Sequence, residues 1–125
     1  MVVKPRTYDL VPGKVAVFLE RYEHKGLQVQ CKYLGMLLGY YLTEFGTLNR
    51  IIHLLAYANL EDRNRRRQAL FTDERWLKYL EGVMPLIVRQ QPELLTSARF
   101  ATPSPARLAP VRSERRVMIP LERCA

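Results

Sequence analysis

G-Y-Y-L-T-E-F-G-T-L-N-R-I-I-H-L-L-A-Y, Gly39 to Tyr57, decides how this chain folds. β-Branched and aromatic residues form two runs separated by Gly46-Thr47, the pattern of a β-hairpin. Each run is apolar on both of the faces that alternating side chains create. A strand with one wet face alternates, whereas a strand covered on both sides need not. A sheet built on this hairpin therefore needs two covers. The rest of the sequence supplies one, which predicts a second copy of the chain against the other face.

The length of 125 residues suits one domain, and 48% hydrophobic residues can supply its core. The composition is neither disordered nor fibrous. The longest uncharged apolar run, Tyr33 to Thr43, contains Gly35 and Gly39 and falls short of the ~18 residues of a membrane span. Met1 to Tyr8 shows neither an apolar signal core nor an Arg/Ser-rich presequence, so a cytoplasmic location is expected. Two cysteines are too few for a disulfide framework. The cysteines and histidines have no metal-ligand spacing, so neither a metal nor a cofactor is expected. The net charge of +8 invites a nucleic-acid reading. However, five of the arginines and two of the glutamates lie in residues 101–125, which puts +3 of that charge in the tail. Aromatics interleaved with basic residues on one surface are also missing, so a nucleic-acid partner is not expected.

Outward from the hairpin, Thr7 to Leu10 with Val2 and Val3 reads as a first strand. Pro12-Gly13 ends it and opens a helix whose face is marked by Val15, Phe18, Leu19 and Tyr22. Gly26 interrupts, and Leu27 to Tyr33 is another helical piece. After the hairpin, Asn59 caps a helix with Glu61 and Asp62 in its first turn. Thr72-Asp73-Glu74 opens another, carrying Trp76, Leu77, Leu80 and Val83, and Pro85 ends it. Leu86 to Val88 and Leu94 to Thr96 supply the last strand, with Pro92 at an edge or bulge. The resulting order, βαββαβ, predicts an α+β ferredoxin-like domain with a four-stranded antiparallel sheet and helices on one face. The expected division is a domain over 1–102 and a Pro/Arg-rich tail over 103–125.

Four stretches carry a family resemblance. They are R-T-Y-D-L-x-P-G-K at Arg6 to Lys14, T-E-F-G-T-L-N-R-I-I-H-L-L-A-Y at Thr43 to Tyr57, L-E-D-R-N-R-R-R-Q-A-L at Leu60 to Leu70, and P-L-I-V-R-Q at Pro85 to Gln90. In this order they resemble the NIPSNAP family. The resemblance implies a ferredoxin-like fold that dimerises into an α/β barrel, and no established reaction. Two positions depart from the family pattern. Leu55 stands where Trp is favoured after the His-Leu pair, and Thr47 stands where Pro is favoured in the turn.

With Gly46-Thr47 as a two-residue turn, Glu44 pairs with Asn49 and Tyr40 with His53. Leu38, Tyr40, Leu42, Glu44, Asn49, Ile51, His53, Leu55 and Tyr57 then share one face. Polar groups among hydrophobes suit a ligand pocket. His53 is the candidate general base, with Glu44 to orient it and tyrosines to hold a carbonyl or oxyanion. Tyr8, Tyr40, Glu44, Asn49, His53 and Tyr57 are the ligand-binding candidates. The same residues equally suit packing or interface roles. Arg63, Arg66 and Arg67 are candidates for an anion or acidic partner, against the plainer reading of a solvated helix face with ion pairs. Trp76 reads as core. Three functions follow as expectations: a homodimer binding a small, partly apolar molecule; a small cofactor-independent oxygenase or isomerase of the dimeric α/β-barrel class; or an interaction protein recruiting an acidic partner through its basic helix and tail.

Overall fold

The computed structural model describes residues 1–104. Expectations for the Pro/Arg-rich tail fall, from residue 105 onward, outside the described residues. The elements are β1 (Val2–Leu10), α1 (Val15–Arg21), α2 (Leu27–Tyr33), β2 (Met36–Leu42), β3 (Arg50–Tyr57), α3 (Leu60–Leu70), α4 (Glu74–Val83), β4 (Ile87–Pro92) and β5 (Leu95–Thr96). The antiparallel sheet has the order β2-β3-β1-β4, and β5 also pairs with β1 beyond the end of β4. This is the expected α+β fold, with a short extra strand.

β1 is longer than a Thr7–Leu10 strand because it has partners on both sides. Pro5 sits inside it without loss. Its carbonyl accepts from Glu93 N at 3.0 Å, at the break between β4 and β5, so its missing N–H faces a gap in the ladder. Pro12-Gly13 does not open α1 as expected. It forms a separate turn with Gly13 at φ 81°, and α1 starts at Val15. A residue at positive φ cannot continue into a right-handed helix.

A π-helical turn over Tyr22–Gly26 joins α1 to α2. Gly26 lets this turn pack closely against α4, because a Cβ there would meet the Tyr79 ring at 2.7 Å. The cap signals at Asn59 and Asp73 both operate. The Asn59 side chain accepts from Asp62 N, and the Asp73 side chain accepts from Arg75 N. Asp73 also accepts from the Tyr33 hydroxyl at 2.9 Å, tying the end of α2 to the start of α4.

The hairpin keeps its expected register, with Tyr40 opposite His53 and Leu42 opposite Ile51. The connection differs. β2 stops at Leu42 and β3 starts at Arg50, leaving an open loop rather than a two-residue turn. Gly46-Thr47 would suit a type II′ turn, with Gly at the first central position, but that turn does not form. Instead Gly46 and Asn49 take positive φ, at 120° and 59°. A bulge also falls between Leu37 and Gly39. Leu37, opposite Leu55, therefore takes the core position expected of Leu38.

One core fills the space between sheet and helices, with Phe18, Leu37, Ile51, Leu55, Leu70 and Val83 deeply buried. The alternate residues of β1 and β3 turn to the opposite face. There Val3, Ile52 and Leu54 are half-buried, and Tyr41 of β2 is 53% exposed. No described helix is long and apolar enough to cross a membrane.

Candidate functional site

Between the sheet and the helices lies a cavity of about 330 Å³. That is the lower end of the size range of small-molecule sites. β1 sends Lys4, Arg6 and Tyr8 into it by period-two alternation, and β3 sends His53, Leu55 and Tyr57. The helices contribute Tyr22, Gln30, Arg63, Arg67, Trp76 and Tyr79.

His53 is part of the lining and only 2% exposed. Its ring stacks between Tyr8 and Tyr40, with centroids at 5.3 and 5.1 Å. The ring contacts run on from Tyr40 to Tyr22 at 4.6 Å, then to Tyr79 and Trp76. Neither His53 Nδ1 nor Nε2 has a hydrogen-bond partner among the described residues, and the same holds for Trp76 Nε1. Burial, aided by the positive charge of Arg6, pushes the His53 pKa down to about 3. The imidazole is therefore neutral near pH 7, with one donor and one acceptor to offer.

Tyr22 donates to Gln30 Oε1, and both residues are buried. They stand eight positions apart, and the wide π turn between them brings both to the cavity. Burial raises the hydroxyl pKa values of Tyr8, Tyr22, Tyr40, Tyr57 and Tyr79, so these groups stay neutral.

The charged groups of the lining are all positive. Lys4 and Arg6 are two apart on β1, and Arg63 and Arg67 are four apart on α3, so each pair shares a face. Burial, then repulsion from Arg63, Arg6 and Arg67, lowers the Lys4 pKa. Burial, then Arg6 and Arg63, lowers that of Arg67. Among the described residues no Asp or Glu lines the cavity.

The structure brings Tyr8, Tyr40, His53 and Tyr57 together, and Arg63 and Arg67 with them. Three candidates lie elsewhere. Glu44 is exposed in the hairpin loop, too far along the chain to orient His53. Asn49 serves the loop, its carbonyl accepting from Leu10 N at 2.8 Å. Arg66 points away and pairs with Asp62 at 2.9 Å, as Arg65 does at 2.7 Å. Lys4, Arg6 and Gln30 line the cavity without being candidates from sequence, and Trp76 is core, as expected, and also lines the cavity. Extending the alternation of β1 back from Leu10 through Tyr8, Arg6 and Lys4 was the signal for the first two. No local pattern announces the π turn that delivers Gln30.

Comparison with known proteins fits this architecture. The NIPSNAP family model matches residues 3–102. Protein NipSnap homolog 3A of Homo sapiens is 34% identical over 91 residues, which are 71% of this chain and 36% of that protein. The chain thus spans about a third of the length of that relative. A NIPSNAP family protein with unknown function from Agrobacterium tumefaciens superposes with a TM-score of 0.78 at 37% identity, over 81% of this chain and 91% of that one. An antibiotic biosynthesis monooxygenase superposes with a TM-score of 0.57 over 78% of this chain and 99% of that one. Its 9% identity makes it a likeness of fold alone.

Proposed function

The chain belongs to the NIPSNAP family, and from that premise we propose that it is a homodimer whose sheet–helix cavity binds a small, partly apolar molecule. One observation carries the binding role. His53 is buried in the wall of the cavity with both ring nitrogens unpartnered among the described residues. A buried polar group without a partner costs ~1–3 kcal/mol. A residue serving packing alone would be replaced at a gain by an apolar one. A ligand group that both accepts and donates offsets that cost.

The dimer is supported by the opposite face. Ile52, Leu54 and Tyr41 lie there, and the hairpin loop projects Phe45 and Leu48, 95% and 78% exposed. A second copy set two-fold against this face covers both chains at once. The enzymatic alternative has less support. The His53–Glu44 pair does not assemble, and an imidazole with a pKa of about 3 is a weak base near pH 7.

Native mass spectrometry of freshly purified protein tests both parts. The expected species is a dimer carrying a small, reproducible extra mass that is lost on denaturation. A dimer without extra mass at any ligand supply removes the binding role. A monomer at micromolar concentration removes the assembly.

A further inference from the structure

The cavity lining has two chemical kinds. Lys4, Arg6, Arg63 and Arg67 are cations near enough to act on one another, each half-buried. The rest is a neutral wall of His53, tyrosines and Trp76, which Arg6 joins as the cross-strand partner of His53. Like charges at i,i+4 on a helix repel, and Arg63 and Arg67 are such a pair. The two strand cations add to that repulsion across the cavity. A solvated basic face usually relieves it with interleaved acids, and the outer side of α3 does this through Asp62 with Arg65 and Arg66. Among the described residues the cavity side has no such acid. Among the same residues, none of these arginines' contacts is with an acid: Arg6 donates to Gln90 at 3.4 Å and lies over the Tyr8 ring at 5.7 Å, Arg63 donates to Asn64 at 2.9 Å, and Arg67 stacks on the Phe71 ring at 4.8 Å. One helix therefore carries neutralised arginines outward and un-neutralised arginines inward.

We infer that the ligand is an amphipathic organic anion. Its oxyanion head sits among Lys4, Arg6, Arg63 and Arg67, and its apolar body lies against the aromatic wall of Tyr22, Tyr79 and Trp76, with a polar substituent reaching His53. The inference rests on the cavity being a binding site. Arginine forks suit planar oxyanions, and a partly desolvated cation binds them more strongly than a fully hydrated one. The aromatic rings pack on one another and present an apolar wall, which favours an apolar body. A cationic ligand would meet four like charges and, among the described residues, no acid. A sugar-like ligand would set its hydroxyls against that apolar wall.

A matched pair of fluorescent probes separates the head from the body. 8-Anilinonaphthalene-1-sulfonate and N-phenyl-1-naphthylamine share one skeleton and differ by the anionic group. Titrated into the full-length protein at low salt, the sulfonate should bind with one site per chain, about tenfold tighter than the neutral probe, and each should displace the other. Arg67→Gln and Arg6→Gln should each weaken the sulfonate about fivefold to tenfold and leave the neutral probe within about twofold. Added salt should weaken only the sulfonate. Thermal melts of both variants check that the fold is kept. Equal affinities, or arginine variants that bind the sulfonate normally, overturn the anion inference while the cavity remains a binding site. Sulfonate that the neutral probe does not displace also overturns it. Binding of neither probe overturns the inference and the cavity reading together.

Discussion

Ile51 and Ile52 are neighbours on β3, yet they occupy opposite environments. Ile51 is fully buried beneath the helices, beside a cavity lined with polar groups. Ile52 faces the other way, half-buried, with Leu54 and Tyr41 around it. His53 and Leu54 repeat the contrast one step further. The face that the chain covers with its own helices carries the unsatisfied histidine. The opposite face carries Val3, Ile52, Leu54 and Tyr41, with Thr7 and the Asp9–Arg50 ion pair beside them. Polar groups in a self-covered core are a local cost to stability, and this distribution places that cost where a small molecule fits.

The largest expected effect strikes both faces together. A Cβ on Gly35 would lie 2.0 Å from the Ala56 carbonyl oxygen, so backbone must move. Gly35→Ala should cost about 3 kcal/mol or more in chemical denaturation and disturb the pairing of β2 with β3. A near-neutral result would show that β2 can slide without cost. Next, Ile51→Ala should cost ~2–5 kcal/mol by opening a cavity in the core. Ile52→Asp should leave the fold intact but shift the chain toward monomer in light scattering. A stable dimer from Ile52→Asp would break the contrast, because that face would then not be an interface. The smallest effects compare the two sides of α3. Arg66→Gln removes a partner of Asp62 and should cost up to about 1 kcal/mol. Arg67→Gln relieves repulsion from Arg63 and should be neutral or stabilising by a few tenths of a kcal/mol. Equal losses from the two would mean that Arg67 has a stabilising partner.

Much of this was legible in the residues. The hairpin register that sets Tyr40 opposite His53 follows from the apolar runs around Gly46. The caps at Asn59 and Asp73 follow from side chains that accept from nearby N–H groups. What escaped depends on backbone events without a local code. The bulge that exchanges Leu38 for Leu37 accompanies the tight approach of Gly35 to Ala56 and the Tyr41 ring over Gly39. The open loop strands Glu44 and Asn49 away from His53, with positive φ at Gly46 and Asn49 where a two-residue turn was expected. Sorting Arg66 from Arg67 required knowing that Asp62 takes the outer arginines. A sequence shows which charges share a helix, but not which of them a buried cavity will claim.

The acid limb of the stability curve adds a signature. The folded-state pKa of His53 lies near 3, below its ordinary value of 6.5. The unfolded chain therefore binds a proton here that the folded chain refuses. Stability from this group is fully present above pH ~6.5 and is lost as pH falls toward ~3, at up to about 1.4 kcal/mol per pH unit. His53→Leu should remove this dependence while leaving the carboxylate-driven loss at lower pH. Identical slopes for both proteins between pH 6 and 4 would mean that His53 protonates freely in the fold.

One comparison reaches the central claim most directly: the unfolding free energy of His53→Leu against the natural chain at pH 7, without ligand. Leucine removes two unpartnered ring nitrogens from a buried wall. The expected result is a variant more stable by ~1–3 kcal/mol that no longer retains the small molecule. A variant less stable than the natural chain would make His53 a structural residue and contradict the account.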